Sequence, residues 1–289
     1  MTQKIAIAVI HGIGLPDPRF ADGLIAELRA RFAAAIGGKS ADPEAELVFQ
    51  PVFWAPVLQG REDVLWSRLK ANGSVDFVKL RRFMIDFAAD ALAYQPTPHD
   101  VGIYIGIHRI VAQALKTLGQ QAGPRAPLVI IAHSLGTVIA SNYIYDLQAY
   151  PKKRLIRAPV RRAMGRTPLD KGETLASLYL MGSPLALWSL RYDDFGVPIT
   201  VPSPRLKTHH PRLKGEWVHF YDPSDIIGYP LKPVNAAYNA QVTQDRAVNA
   251  GSIFTSWNPA SHIGYWTDND VTKPLAEGLA NLWLAANSY

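Results

Sequence analysis

The chain of 289 residues contains no cysteine. A disulfide framework, a thiolate nucleophile and a cysteine-based metal site are thereby excluded. Its 8 histidines show no H-E-x-x-H or comparable metal spacing, and neither a metal nor an organic cofactor is expected. No apolar run approaches the roughly 18 residues that span a bilayer. Ile5 to Ile10 is too short and wrongly flanked for a secretory signal, so the expectation is a soluble, cytoplasmic protein. Complete nucleotide loops are missing too. "GGKS" at Gly37 to Ser40 has Ala33 where a phosphate-binding loop needs its first glycine, and it ends a helix instead of following a strand, so Gly37 reads as a helix C-cap. "HGIGLP" lacks the third glycine of a dinucleotide fingerprint. There is no internal repeat or low-complexity tract.

What is present suits one α/β domain with a well-buried core: 48% hydrophobic residues and a mean hydropathy near zero. The net charge of +6 is uneven. Tyr150 to Gly172 holds eight Lys and Arg against Asp170 alone, which makes that segment +7 and the remainder −1. A solvated loop is the simpler reading; a peripheral contact of residues 152–171 with anionic lipid or phosphate is the other. No nucleic-acid module accompanies the cluster, and no nucleic-acid partner is expected.

Short β-type runs at Lys4–Ile10, Leu47–Phe53, Leu128–Ala132, Thr174–Met181 and Glu216–Tyr221 alternate with helical segments such as Asp22–Ile36, Ile103–Leu118 and Thr137–Leu147. That alternation predicts a largely parallel sheet covered on both faces. Between Leu58 and Gln95 lies additional helical material, with Phe77, Leu80, Met84, Phe87 and Ala91 on one face, which reads as an insertion over the sheet. Asp193 to Lys214, rich in proline and basic residues, reads as a loop or hairpin excursion. The last helix, near Pro274 to Ala285, is expected to begin with its proline.

The stretch "LVIIAHSLGTVIASNYIYDL", Leu128 to Leu147, turns from a strand pattern to a helical one around Ser134. A serine hydroxyl is a poor nucleophile unless a base takes its proton and donors await its oxyanion. A sharp strand-to-helix turn supplies part of both. It lifts Oγ clear of the sheet and leaves the N–H of Leu135 free at a helix N-terminus. So tight a turn needs small residues two before and two after the serine, and here these are Ala132 and Gly136. The plainer alternative is a serine that merely caps a helix.

"AHSLG" resembles the G-x-S-x-G nucleophile elbow of the α/β-hydrolase superfamily in its lipase-like form, with Ala132 in the first glycine position. The resemblance extends to "AVIHGIG", Ala8 to Gly14, where an H-G motif ends an early strand. It implies a second oxyanion donor in the N–H of Ile13 beside that of Leu135, with Gly12 and Gly14 allowing close approach and His11 structural. "WVHFYDPSDIIGYPL" resembles the lipase acid segment and points to Asp225, with Asp222 as rival; "SHIGYW" points to His262 as the base. His99, His108, His133, His209, His210 and His219 read as surface or packing residues, His133 on a turn position facing away from the serine.

The resemblance implies an α/β-hydrolase fold, residues 1–289 forming a single domain, with its sheet starting at the H-G strand and 58–95 forming a helical lid or cap. It also implies a lipase/esterase-like serine hydrolase that cleaves carboxylic esters through an acyl-enzyme on Ser134, without cofactor, acting on a small-molecule ester or lipid-like substrate. An acyltransferase or thioesterase using the same residues, or a non-catalytic binding protein on the same fold, are the alternatives. Trp54, Trp66 and the Phe77 helix line an acyl pocket on one reading and are simple core on the other.

Overall fold

A computed structural model describes residues 2–13, 17–58, 64, 67–68, 91–96, 101–191, 196–250 and 261–288. Six strands form one sheet: β1 (Ile5–Ile10), β2 (Leu47–Val52), β3 (Leu128–His133), β4 (Leu175–Met181), β5 (Trp217–Tyr221) and β6 (Gln244–Ala247), in the order β2-β1-β3-β4-β5-β6. Every pairing among them is parallel. The central strands are apolar at nearly every position because both faces are covered. All six residues of β1 are buried. Ile5, Ile7 and Val9 face one layer, built on α1 (Asp22–Ile36) and α5 (Asn269–Asn287), while Ala6, Ala8 and Ile10 face the other, built on α2 (Gly102–Ala122) and α3 (Leu135–Lys153). This is the α/β-hydrolase architecture, a parallel sheet with helices on both faces.

The strand order places the site. After β1 the chain crosses one face through α1 to β2, then returns over the opposite face through α2 to β3 on the other side of β1. Where neighbouring strands send their connections to opposite sides, a crevice opens at their carboxyl ends. The ends that meet there carry His11-Gly12-Ile13 after β1 and His133-Ser134 at the end of β3.

Several expectations need correction. The last helix begins five residues before Pro274, at Asn269, because the Asp268 side chain accepts from the N–H of Asp270 at 2.7 Å and caps it. Proline is tolerated inside the helix this near its start at the loss of one intrahelical bond. The basic segment is not loop throughout: it contains the end of α3, the short helix α4 (Ala158–Ala163) and a series of turns. Of the two readings of Asp193–Lys214, its described residues form a loop, with one helical turn at Leu206–His209. Strand β6, of sequence QDRA and half exposed, has no counterpart in the apolar pattern. Gly37 does close α1, at φ 56° and ψ 46°. Apart from residues 58, 64, 67, 68 and 91–95, the insertion Leu58–Gln95 lies outside the described residues, and so do Gly14, Trp66, Phe77 and His99. Among the described residues no helix is long and apolar enough to cross a membrane.

Candidate active site

β3 is followed by a residue in an unusual state. Ser134 has φ of 52°, a left-handed conformation rare outside glycine, and it marks the abrupt change from strand to helix. Its N–H donates to the Met181 carbonyl at 2.9 Å, and its carbonyl accepts from the N–H of Thr137 at 2.9 Å and from the Thr137 hydroxyl at 2.6 Å. The turn is therefore held on both sides. Ser183 Oγ lies 2.7 Å from Thr137 Oγ1 and ties this corner to the residues after β4. Close backbone approach explains the small residues. A Cβ on Gly136 would stand 2.4 Å from the His11 carbonyl oxygen, and one on Gly12 would stand 2.6 Å from Ser134 Cβ.

Three side chains converge here: Ser134 on the turn after β3, Asp225 on the loop after β5, and His262 on the helical turn Ser261–Gly264. His262 Nε2 lies 2.6 Å from Ser134 Oγ, and His262 Nδ1 lies 2.8 Å from Asp225 Oδ2. A carboxylate only accepts, so Nδ1 carries the proton and Nε2 is left to accept from the serine hydroxyl. Asp225 also accepts from the Tyr265 hydroxyl at 2.9 Å and, through Oδ1, from the N–H of Ile227 at 3.0 Å. Burial pushes the Asp225 carboxyl up, but the His262 bond and charge, with the Ile227 and Tyr265 donors, more than offset this and hold it below the usual range. Asp222, the rival, uses Oδ1 to brace its own turn by accepting from Ser224 N at 2.7 Å. All three converging residues are buried; Ser134 is 0% exposed, contrary to the exposure expected of an elbow serine. Gly12 packs over its Cβ.

The loop after β1 is anchored by His11. Its Nδ1 donates to the Gly12 carbonyl at 2.7 Å, its Nε2 accepts from the N–H of Trp54 at 3.1 Å, and its carbonyl accepts from the Trp54 indole at 3.0 Å. The rings stack at 4.7 Å. Burial lowers the His11 pKa to about 4, against a smaller opposing effect of the Gly12 carbonyl, so the imidazole is a neutral brace. Trp54, fully buried, is core and support for this loop. The N–H groups of Ile13 and Leu135 have no acceptor among the described residues.

Other polar residues of the site carry no signal in sequence. Tyr265 bridges the acid loop, accepting from Asp222 N at 2.7 Å while donating to Asp225. His133 Nε2 donates to the His262 carbonyl at 2.6 Å and so fixes the helical turn that carries the candidate base. Burial, then the His262 ring, lowers the His133 pKa to about 3. A second buried pair runs alongside: His219 accepts from Ser183 N at 3.3 Å and lies 3.1 Å from Asp245 on β6. His108, also buried, lies 3.4 Å from Asp146. The histidines read as packing residues thus include three that hold buried hydrogen bonds. Among the described residues no group of three or more His, Asp or Glu side chains is placed to hold a metal ion.

No family model and no curated protein matches the chain. Among solved structures, similarity extends to a novel cutinase-like protein from Cryptococcus sp., at 10% identity and TM-score 0.44, covering 99% of this chain and 98% of that one. It extends also to the esterase domain of a Rhodothermus marinus protein, at 11% identity and TM-score 0.34, covering 98% of this chain and 89% of that one.

Proposed function

We propose that this chain is a serine hydrolase that cleaves carboxylic esters of small molecules through an acyl-enzyme on Ser134. One observation carries the reading: the unbroken chain of hydrogen bonds from Ser134 Oγ through both nitrogens of His262 to Asp225, at 2.6 and 2.8 Å, with the serine on a strained elbow. In this mechanism Oγ attacks the ester carbonyl as His262 Nε2 takes its proton. Asp225 keeps the Nδ1 tautomer and stabilises the imidazolium that forms. The negative charge on the former carbonyl oxygen is accepted by the N–H groups of Leu135 and Ile13. As the C–O bond breaks, His262 returns the proton to the leaving alcohol. Water then enters, gives its proton to His262, attacks the acyl carbon and releases the carboxylic acid, and Oγ recovers its proton.

Hydrolysis of p-nitrophenyl butyrate by the wild type and Ser134→Ala tests this. The variant is expected to lose kcat by at least about 10³-fold. A Ser134→Ala protein that keeps the wild-type rate overturns the proposal. If added alcohol diverts the acyl group from water, the same intermediate serves a transferase instead.

A further inference from the structure

A cavity of about 770 Å³ lies between the C-terminal half of α3, the α4 segment and the turns that lead into β4. It is remote from Ser134. Because the strands are parallel, Gly172 and Glu173, just before β4, lie at the edge of the sheet opposite the carboxyl ends that carry the elbow. Leu147, which also lines the cavity, is thirteen residues along α3 from Ser134, about 20 Å at the helical rise.

The lining divides by chemistry. Leu147, Ile156 and Met164 contribute apolar surface and are buried or half-buried. Arg161, Arg162, Arg166, Lys171 and Arg205 are exposed around them, with Glu173 the one carboxylate in the lining. Glu173 is already engaged, 2.9 Å from His209 Nε2 and 3.6 Å from Arg205 Nε. Arg161, Arg162, Arg166 and Lys171 make no ion pair or side-chain hydrogen bond among the described residues. The loop that presents the last two is fixed from within. Buried Asp170 accepts from the N–H of Thr167 at 2.8 Å and from its hydroxyl at 2.7 Å.

Clustered cations without acid partners repel one another and concentrate anions. Guanidinium groups match the oxygens of phosphate in paired hydrogen bonds, and a cavity of this volume falls in the range that takes small molecules. Several unpaired cations favour a dianion over a monoanion, and the apolar side chains favour a ligand with a non-polar body. We propose that this cavity is a second binding site, separate from the candidate active site, for a phosphate monoester carried on an apolar body. The assignment stands whether or not Ser134 is a nucleophile.

Titration calorimetry on the full chain with monomeric octyl phosphate tests it, with inorganic phosphate, octanol and octanoate as comparison probes. Octyl phosphate is expected to bind saturably, one per chain, at least about tenfold tighter than each of the other three, since only it supplies both the dianion and the chain. Arg161→Ala/Arg162→Ala/Arg166→Ala/Lys171→Ala, all exposed positions, is expected to weaken it by about tenfold or more with an unchanged unfolding midpoint. If that variant does not fold, Arg166→Ala/Lys171→Ala is expected to show a smaller loss in the same direction. Ser134→Ala is expected to bind as the wild type does, whatever its effect on ester hydrolysis. Absence of saturable binding, equal binding of octanoate, unchanged binding in a folded cation variant, or loss of binding in Ser134→Ala each overturns the proposal. So does sedimentation with phosphatidic-acid vesicles without binding of the monomer, which makes the face a membrane surface.

Discussion

Ser134 is held in a backbone state that costs a non-glycine residue about 1–3 kcal/mol, and the bonds to Met181 and Thr137 maintain it. Strain of that kind persists where the surroundings over-determine it, and here it brings Oγ to His262 Nε2. The two aspartates of the acid loop divide the work by reach. Asp225 meets His262, whereas Asp222 bonds its own turn, so Asp225→Asn is expected to lower kcat toward about 10⁴-fold with little change in unfolding midpoint. Asp222→Asn is expected to act on stability instead, by about 1 kcal/mol. Kinetics and unfolding of both variants decide the matter, and a catalytically dead Asp222→Asn beside a normal Asp225→Asn reverses the roles. Tyr265→Phe removes one donor from Asp225 and leaves the buried N–H of Asp222 without its acceptor, at a cost of about 1–3 kcal/mol. An unchanged midpoint in chemical denaturation contradicts that account of the loop.

Among the elements, the elbow depends on how closely α3 approaches the loop after β1. Gly136→Ala sets a methyl against the His11 carbonyl, an oxygen of the backbone that cannot rotate away, so it is expected to shift the Ile13 loop. Ester hydrolysis is then expected to fall by about tenfold or more, and a variant of normal activity shows the approach to be looser than described. Much at this scale was legible in sequence. β1 is an unbroken apolar run, and β3 and β4 are apolar but for His133 and Ser177, because both faces are covered; α1 ends at Gly37 as its chemistry requires. β6 was not legible: an edge strand of sequence QDRA buries too little to need an apolar pattern, and its Asp245 is drawn in by His219, a long-range partner. The start of α5 is not legible in sequence because proline at a first turn is a stronger signal than an aspartate cap. Ser134, Asp225 and His262 stand out through local motifs. Tyr265 and His133 do not, since their roles consist of bonds made across the fold.

The whole molecule keeps several imidazoles neutral in its interior. Burial lowers the pKa of His11 to about 4 and that of His133 to about 3, below the ordinary imidazole value of about 6.5, and lowers that of His108 in the same direction. In each case the unfolded chain binds the proton more readily than the folded one. Stability is therefore full above about pH 6.5 and lost as pH falls below it, by about 1.4 kcal/mol per pH unit for each such group until its folded pKa is reached. Asp225, held low in the folded state, adds a further loss once pH falls through the ordinary carboxylate range. Thermal unfolding from pH 8 to about pH 4 is expected to show a midpoint steady at first and steeply falling below about pH 6.5. A level profile across that range contradicts the burial of these histidines.

Covalent capture identifies the nucleophile without reference to any substrate. The wild type treated with a small fluorophosphonate and digested for mass spectrometry is expected to carry one phosphonyl group on the peptide containing Ser134, with ester hydrolysis lost in proportion. Equal labelling of Ser134→Ala, or a wild type that hydrolyses esters with the adduct on another residue, contradicts the account.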